Sequence, residues 1–193
     1  MIRERIGLFF GSFNPIHNGH MMLANYMVEF TDLHKLWFIV SPQNPLKEKE
    51  SLLQEHHRFD MVSKAIDNDP RFEVNDIEFR MPHPSYTIDT LTRLSERHPN
   101  IAFSLIVGMD SLENIHKWKN YEVLLQSYRL LVYPRNGFTG GNHINHPSVQ
   151  LVDAPEIKVS SSFIRRAVSA GKNISWFMPP KAHEYMTLMH FYE

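Results

Sequence analysis

Two histidines, His17 and His20, lie three residues apart in the stretch GSFNPIHNGH, which spans residues 11–20. Gly11 allows the backbone to approach a phosphate closely, and Asn14 with the following proline favours a turn. At a helix entrance, imidazole N–H groups, backbone amides and the helix dipole all attract anions, so the pair is suited to a phosphate whose charge grows during transfer. From this stretch alone two alternatives stay open: histidines with a structural or incidental role in a loop, and metal ligands.

A serine run, VSSSFIR at residues 159–165, forms a second anion-binding pattern. A serine at the start of a helix acts as its N-cap, and the neighbouring serines supply hydroxyl donors. Arg165 lies one turn further on, from where its guanidinium can reach an anion at the same helix end. The alternative is a capped surface helix whose arginine is solvated.

Two further stretches place polar groups where a nucleotide could meet them. Ser85 is suited to cap a helix, and the backbone amides of Tyr86 and Thr87 behind it can hold a carboxylate. Gly108 and Asp110, in the sequence GMDS, follow an apolar run. The glycine lets the backbone approach a nucleotide, while the aspartate can accept from ribose hydroxyls, support a metal-bound nucleotide or cap the next helix.

The elements that must position these residues are apolar runs alternating with helical patterns. The runs predict buried strands at residues 5–10, 35–40, 101–107, 128–133 and 149–152, and one or two short strands within residues 72–79. Helical spacing of apolar side chains predicts helices over residues 20–30, 52–66, 85–97 and 180–192, one around residues 121–125, and one from residue 160 onward. This alternation predicts βαβ units and a parallel sheet, in which ligands lie at the carboxyl ends of the strands.

Composition sets further limits. The 193 residues include 20 basic and 21 acidic side chains, for a net charge of −1, so no overall field attracts nucleic acid or a membrane surface. The absence of cysteine excludes disulfides and thiolate zinc sites. We expect one domain over residues 1–193, and a soluble, cytoplasmic protein because the first apolar run is too short for a signal peptide or a membrane span. The oligomeric state is left open.

The two anion-binding stretches together resemble a known family. Residues 11–20 resemble the signature of the His-x-Gly-His nucleotidylyltransferases, and residues 159–165 resemble their Ile-Ser-Ser-Thr-x-Ile-Arg run, which binds the ATP phosphates. Ser162 replaces the threonine and keeps a hydroxyl. Residues 84–91, PSYTIDTL, resemble the SYT-x-DT segment of one branch, the bacterial nicotinate-nucleotide adenylyltransferases.

Other positions also resemble the family, and some of them depart from its pattern. Residues 108–111 resemble the Gly-x-Asp-Ser of the family, and Trp118 matches the tryptophan that the family stacks on the pyridine ring. Arg135, in YPRNG, resembles an Arg-Pro-Gly stretch but follows the proline. The loop at residues 43–47 is shortened and carries leucine where many members have histidine. Arg58 belongs to a segment that resembles an R-x-x-M helix, for which we expect a packing role.

The resemblance covers nearly the whole chain and implies an α/β fold, a Rossmann-like, doubly wound parallel sheet of about five strands with a small C-terminal helical portion. It implies transfer of the adenylyl group from ATP to nicotinate mononucleotide, which gives deamido-NAD and pyrophosphate in NAD biosynthesis. A helix amino end that holds a carboxylate would favour nicotinate over nicotinamide, by roughly 0.3–2 kcal/mol from the dipole alone. Mg²⁺ is expected to arrive with ATP, since the chain shows no dedicated carboxylate cage.

The resemblance also assigns the site residues. The implied catalytic residues are His17, His20 and Arg165. The implied ATP-binding residues are Gly11, Ser12, Phe13, His17, His20, Lys47, Gly108, Asp110, Ser161, Ser162 and Arg165. The implied mononucleotide-binding residues are Asn14, Ser85, Tyr86, Thr87, Trp118 and Arg135. Alternatives that stay open are transfer to nicotinamide mononucleotide or phosphopantetheine, a nucleotide-binding regulator without turnover, and a histidine-ligated metal hydrolase.

Overall fold

A six-stranded parallel sheet forms the centre of the molecule, whose structure is a computed structural model that describes residues 3–42 and 52–193. Neighbouring strands are hydrogen-bonded in the order β3-β2-β1-β4-β5-β6. The strands are β1 Glu4–Gly11, β2 Lys35–Val40, β3 Phe72–Asn75, β4 Ile101–Gly108, β5 Arg129–Tyr133 and β6 Val149–Leu151. This is the strand order of a Rossmann-like, doubly wound fold, which confirms the predicted fold class.

Helices connect the strands and cover both faces of the sheet. The α-helices are α1 Asn18–Phe30, α2 Glu55–Ile66, α3 Thr87–Arg97, α4 Met109–Glu113, α5 Tyr121–Ser127, α6 Ser161–Ser169 and α7 Pro180–Leu188. Short 3₁₀ helices lie at Ile77–Arg80, Ile115–Lys117, Gly141–His143 and Ser175–Phe177. Within the described residues no helix is both long and apolar enough to cross a membrane.

Side chains of the sheet enter two separate cores because successive residues of a strand point to opposite faces. In β1, Ile6 and Leu8 belong to the core formed with α3, α4 and α5. Phe9 belongs to the other core, formed with α1, α2, α6 and α7. A fully buried leucine such as Leu8 stabilises the fold by about 1.5–3 kcal/mol. Burial on both faces explains why the strands are continuous apolar runs rather than alternating ones.

Several element boundaries differ from those predicted. The sheet has six strands rather than about five because one short strand forms within residues 72–79, as predicted from the apolar pattern; it is Phe72–Asn75, which pairs with β2. The rest of that segment forms the 3₁₀ helix Ile77–Arg80. The helix predicted from residue 52 begins at Glu55. The last helix ends at Leu188 rather than residue 192, because His190 has a left-handed φ of 52° that an α-helix cannot contain.

The strand order reverses between β1 and β4, which is the position where doubly wound folds bind ligands. β1 and β4 lie side by side, with Phe9 opposite Ile106. They end at Gly11 and Gly108, so the segments that follow them emerge at the same edge of the sheet. The fold therefore brings two of the chemistry-bearing stretches to one crevice.

Candidate active site

The turn after β1 places both histidines at the start of α1. His17 has an extended backbone and is the N-cap of this helix, with its carbonyl accepting a hydrogen bond from the His20 amide at 2.9 Å. Nδ1 of His20 in turn accepts a hydrogen bond from the His17 backbone N–H at 3.2 Å. This bond leaves the proton of a neutral His20 ring on Nε2. The two imidazoles stack with centroids 3.7 Å apart, so each restrains the other.

His17 is held in its neutral form. Its side chain is only 5% exposed, and burial, assisted by the positive charge of Arg135, lowers its pKa from 6.5 to about 4. Among the described residues no group hydrogen-bonds its buried Nδ1. A Cβ on Gly19 would come within 3.0 Å of that nitrogen, so the missing side chain at Gly19 makes room for the ring.

The start of α6 closes over the same turn. Ser160 caps the helix, as predicted, by accepting a hydrogen bond from the Phe163 amide at 3.2 Å. The Ser161 hydroxyl donates to the Pro15 carbonyl at 2.8 Å, and Nη1 of Arg165 donates to the Asn14 carbonyl at 2.7 Å. Two elements separated by some 140 residues thus form the two walls of one cleft.

The cleft has a volume of about 310 Å³. It brings together eight of the predicted site residues, which are Ser12, Asn14, His17, His20, Arg135, Ser161, Ser162 and Arg165. Hydroxyls, imidazoles and two guanidinium groups therefore face one space. Such a set of donors and cations fits a polyphosphate.

Arg135 links the cleft to the end of β4. Its guanidinium lies over the Tyr133 ring at 5.2 Å from the centroid, and its Nε lies 3.8 Å from Oδ1 of Asp110. Gly108 accommodates this pair, since a Cβ there would come within 3.1 Å of Arg135 Cγ. The N-cap of α4 is Gly108, so the alternative role of Asp110 as N-cap was wrong.

The other predicted ATP-binding residues that the structure describes do not line the cleft. Phe13 is buried in the core, and a Cβ on Gly11 would come within 2.8 Å of its ring, so this glycine accommodates Phe13. Lys47 lies outside the described residues. Gly108 and Asp110 lie beside Arg135, which does line the cleft.

The residues predicted to bind the nicotinate ring lie on two segments, residues 85–87 at the start of α3 and Trp118 before α5, and do not line the cleft. Nζ of Lys119, next to Trp118, lies 4.9 Å from the centroid of the Tyr86 ring and so joins the segment before α5 to the start of α3. The N-cap of α3 is Tyr86 rather than Ser85. The Ser85 hydroxyl instead donates to the buried carboxylate of Glu78 at 2.9 Å, which overturns its predicted capping role. Thr87 is the first residue of the helix.

Arg58 has a larger role than the packing that we predicted. Its side chain is fully buried and donates to the carbonyls of four residues in the segments around the cleft, at 2.6–2.9 Å; these are Ser12, Ser41, Pro42 and Leu53. Burial lowers its pKa to about 10, so the group stays charged at pH 7. Arg58 therefore fixes the ends of β1 and β2 against α2.

Sequence reasoning also missed the segment between β6 and α6. Pro155, Glu156 and Ile157 line the cleft, and Oε1 of Glu156 accepts a hydrogen bond from the Asn136 amide at 2.6 Å. The position of this segment after the predicted strand at residues 149–152 could have indicated its role, because ligands bind at the carboxyl ends of strands in a parallel sheet. Within the described ranges, no three histidine, aspartate or glutamate side chains are grouped so as to hold a metal ion.

Comparisons with known proteins show the family to which the chain belongs. Residues 8–167 match the family model described as cytidylyltransferase-like. The chain is 46% identical over 191 residues to the "Probable nicotinate-nucleotide adenylyltransferase" of Flavobacterium johnsoniae, which covers 98% of this chain and 99% of the relative. It is 47% identical over 188 residues to the protein of the same name from Cytophaga hutchinsonii, with 97% and 98% of the two chains covered.

A solved structure shares the fold. The nicotinic acid mononucleotide adenylyltransferase of Plasmodium falciparum, complexed with NaAD, superposes with a TM-score of 0.81. The match covers 98% of this chain and 97% of that one, at 24% sequence identity. At this identity the likeness shows the architecture alone, and the curated relatives show the family.

Proposed function

The chain belongs to the cytidylyltransferase-like family and, within it, to the nicotinate-nucleotide adenylyltransferases, and we propose that it transfers the adenylyl group of ATP to nicotinate mononucleotide. The products are deamido-NAD and pyrophosphate, so the reaction is a step of NAD biosynthesis. The observation that carries this proposal is the closure of α6 over the turn after β1, with the Ser161 and Arg165 bonds to that turn at 2.8 and 2.7 Å. A histidine pair and a serine-arginine pair thereby share one cleft.

In the proposed reaction, an oxygen of the mononucleotide 5′-phosphate attacks the α-phosphorus of ATP. The new P–O bond forms as the bond from the α-phosphorus to the oxygen bridging to the β-phosphorus breaks, and that oxygen leaves with the electron pair as pyrophosphate. No covalent enzyme intermediate is required, so catalysis consists of positioning and charge stabilisation.

The histidines, serines and Arg165 of the cleft have the following roles in this scheme. His17, neutral at pH 7 because of its lowered pKa, and His20, with its proton on Nε2, donate hydrogen bonds to the transferring phosphate. Ser161, Ser162 and Arg165 hold the β- and γ-phosphates that leave. Lys47, which lies outside the described residues, is proposed to assist them.

The acceptor is proposed to extend from the cleft toward the start of α3. Asn14 and Arg135, which line the cleft, would meet the mononucleotide phosphate side. The amino end of α3 at Tyr86 and Thr87 would hold the nicotinate carboxylate, and Trp118 would stack on the pyridine ring. Mg²⁺ is proposed to enter with ATP and to neutralise part of its phosphate charge when bound.

An acceptor competition tests this proposal. Purified protein is supplied with Mg²⁺-ATP and with nicotinate mononucleotide, nicotinamide mononucleotide or phosphopantetheine, and the pyrophosphate released and the dinucleotide formed are measured. We expect the highest kcat/KM with nicotinate mononucleotide. Pyrophosphate release only with the amide or with phosphopantetheine would contradict the choice of acceptor, and ATP binding without turnover on any acceptor would indicate a regulator.

A further inference from the structure

The chain turns back toward the cleft after α7. His190 and Tyr192 adopt left-handed φ angles of 52° and 69°, and the Phe191 amide donates to the Met186 carbonyl at 3.1 Å. The Phe191 ring packs against His57 of α2 with the ring centroids 4.8 Å apart. This return carries the Tyr192 side chain to the turn that follows β1.

The Tyr192 hydroxyl reaches a residue of the cleft wall. It donates a hydrogen bond to Oδ1 of Asn14 at 2.6 Å, a short distance for a bond between neutral groups. Burial raises the pKa of Tyr192 above its ordinary value of 10, so the hydroxyl keeps its proton and acts as the donor. Asn14 is only 4% exposed and lines the cleft, so Tyr192 contacts it from the protein side.

Asn14 is fixed at both its side chain and its backbone. Its Oδ1 also accepts a hydrogen bond from the Leu53 amide at 3.3 Å, while its carbonyl accepts from Arg165. An amide whose oxygen accepts from two donors cannot rotate by half a turn, because its NH₂ group would then face those donors. The Tyr192 hydroxyl, which makes the shorter of the two bonds, and the Leu53 amide together set which end of the Asn14 amide is turned toward the protein.

We propose that Tyr192 is a positioning residue for adenylyl transfer: through Asn14 its hydroxyl holds the turn after β1 in the conformation that meets the mononucleotide. This role rests on the proposed function, in which Asn14 contacts the acceptor mononucleotide and His17, three residues later in the chain, contacts the reacting phosphate. Tyr192 itself touches no substrate. It acts on the side chain of Asn14, whereas Arg165 of α6 contacts only the backbone carbonyl of that residue.

The variant Tyr192→Phe tests this role because it keeps the ring and removes only the hydroxyl. We expect kcat to fall and KM for nicotinate mononucleotide to rise, so that kcat/KM for this substrate falls about three- to tenfold in all, the range expected for one lost hydrogen bond. KM for ATP should change less than KM for the mononucleotide, because the substitution removes a bond to the Asn14 side chain and leaves the bond from Arg165 to the Asn14 carbonyl in place. A loss of folded protein would lower kcat and leave both KM values unchanged, so the two effects are distinguishable.

The matched control is Tyr185→Phe. The Tyr185 hydroxyl belongs to α7 and lies 3.1 Å from Nδ1 of His57 and 3.3 Å from Oδ2 of Asp60, away from the turn. Its removal should leave kcat and both KM values unchanged. Equal kinetic effects of the two substitutions would overturn the specific role of Tyr192.

A double-mutant cycle tests whether Tyr192 acts through Asn14. In an Asn14→Ala background, Tyr192→Phe should cause no further change in KM for the mononucleotide. Additive effects, or wild-type kinetics of Tyr192→Phe in an active enzyme, would overturn the proposal while leaving the proposed function intact. A wild-type protein that forms no deamido-NAD would instead contradict the proposed function, and the role of Tyr192 with it.

Discussion

Replacing Gly19 by alanine should separate activity from stability. Gly19 lies in the first turn of α1, where alanine is favoured over glycine by up to about 1 kcal/mol. The added Cβ, however, would lie 3.0 Å from Nδ1 and 3.1 Å from Cε1 of His17, so the ring must move by a few tenths of an ångström. It cannot move freely, because the His20 ring stacks on it at 3.7 Å.

The expected size of the effect follows from this displacement. A misplacement of 1 Å costs about 100-fold in rate, so a shift of roughly 0.3–0.5 Å corresponds to a loss of about four- to tenfold in kcat. The free energy of unfolding should change by less than about 1 kcal/mol, because the helix gain offsets the tighter contact.

Steady-state pyrophosphate release and thermal unfolding followed by circular dichroism measure the two quantities. The matched control is Gly171→Ala: this glycine follows α6 at φ 65°, and a Cβ added there would meet no atom within 4 Å, so the substitution strains the backbone without touching the site. It should lower stability and keep kcat. Wild-type kcat for Gly19→Ala would refute the reasoning that the position of the His17 ring limits turnover.

Three further predictions concern the stability of the protein, its dependence on pH, and the dependence of activity on Mg²⁺. Arg58→Met removes the buried donor of four carbonyls, one buried and three partly buried, and should lower the free energy of unfolding by at least about 3 kcal/mol in urea titrations. Arg80→Met, at an exposed 3.9 Å ion pair, should change it little. The pKa of His17 is about 4 in the folded protein and 6.5 in the unfolded chain, so as the pH falls the unfolded chain binds a proton on this histidine before the folded protein does. The folded protein should therefore lose stability between pH 6.5 and 4, relative to its stability above pH 6.5. This loss of up to about 3 kcal/mol in the free energy of unfolding should disappear in His17→Gln. If the free energy of unfolding depended on pH in the same way in both proteins, the buried neutral state of His17 would be contradicted. Chelation by EDTA should abolish pyrophosphate release, added Mg²⁺ should restore it, and full activity in EDTA would rule out the proposed Mg²⁺-ATP substrate.

Local sequence patterns predicted the helices and strands and the polar residues of the two cleft walls. The apolar runs indicated the strands because a sheet covered on both faces requires continuous burial. The serine run at residues 160–162 was predicted to supply an N-cap, which Ser160 does, because the capping bond lies within four residues of sequence. The family resemblance supplied the pairing of the two walls. The single domain predicted over residues 1–193 and the assigned roles of the site residues remain predictions.

Long-range contacts could not be predicted from local patterns. The role of Ser85 depends on Glu78, a buried carboxylate that also accepts from Thr90 at 2.7 Å, and no capping rule contains that partner. Arg58 and Tyr192 resemble ordinary packing residues until the fold brings them to the turn after β1. Their hydrogen bonds are set by tertiary structure rather than by sequence spacing.

The most direct test of the phosphate-transfer site is kcat of His20→Ala with saturating Mg²⁺-ATP and nicotinate mononucleotide, measured as deamido-NAD formed. The control is His34→Ala, next to the amino end of β2 and therefore at the opposite edge of the sheet from the cleft. We predict a loss of at least about 100-fold for His20→Ala, with a folded protein, and wild-type turnover for the control. Turnover of His20→Ala at the wild-type rate would contradict the assignment of the histidine pair to the reacting phosphate.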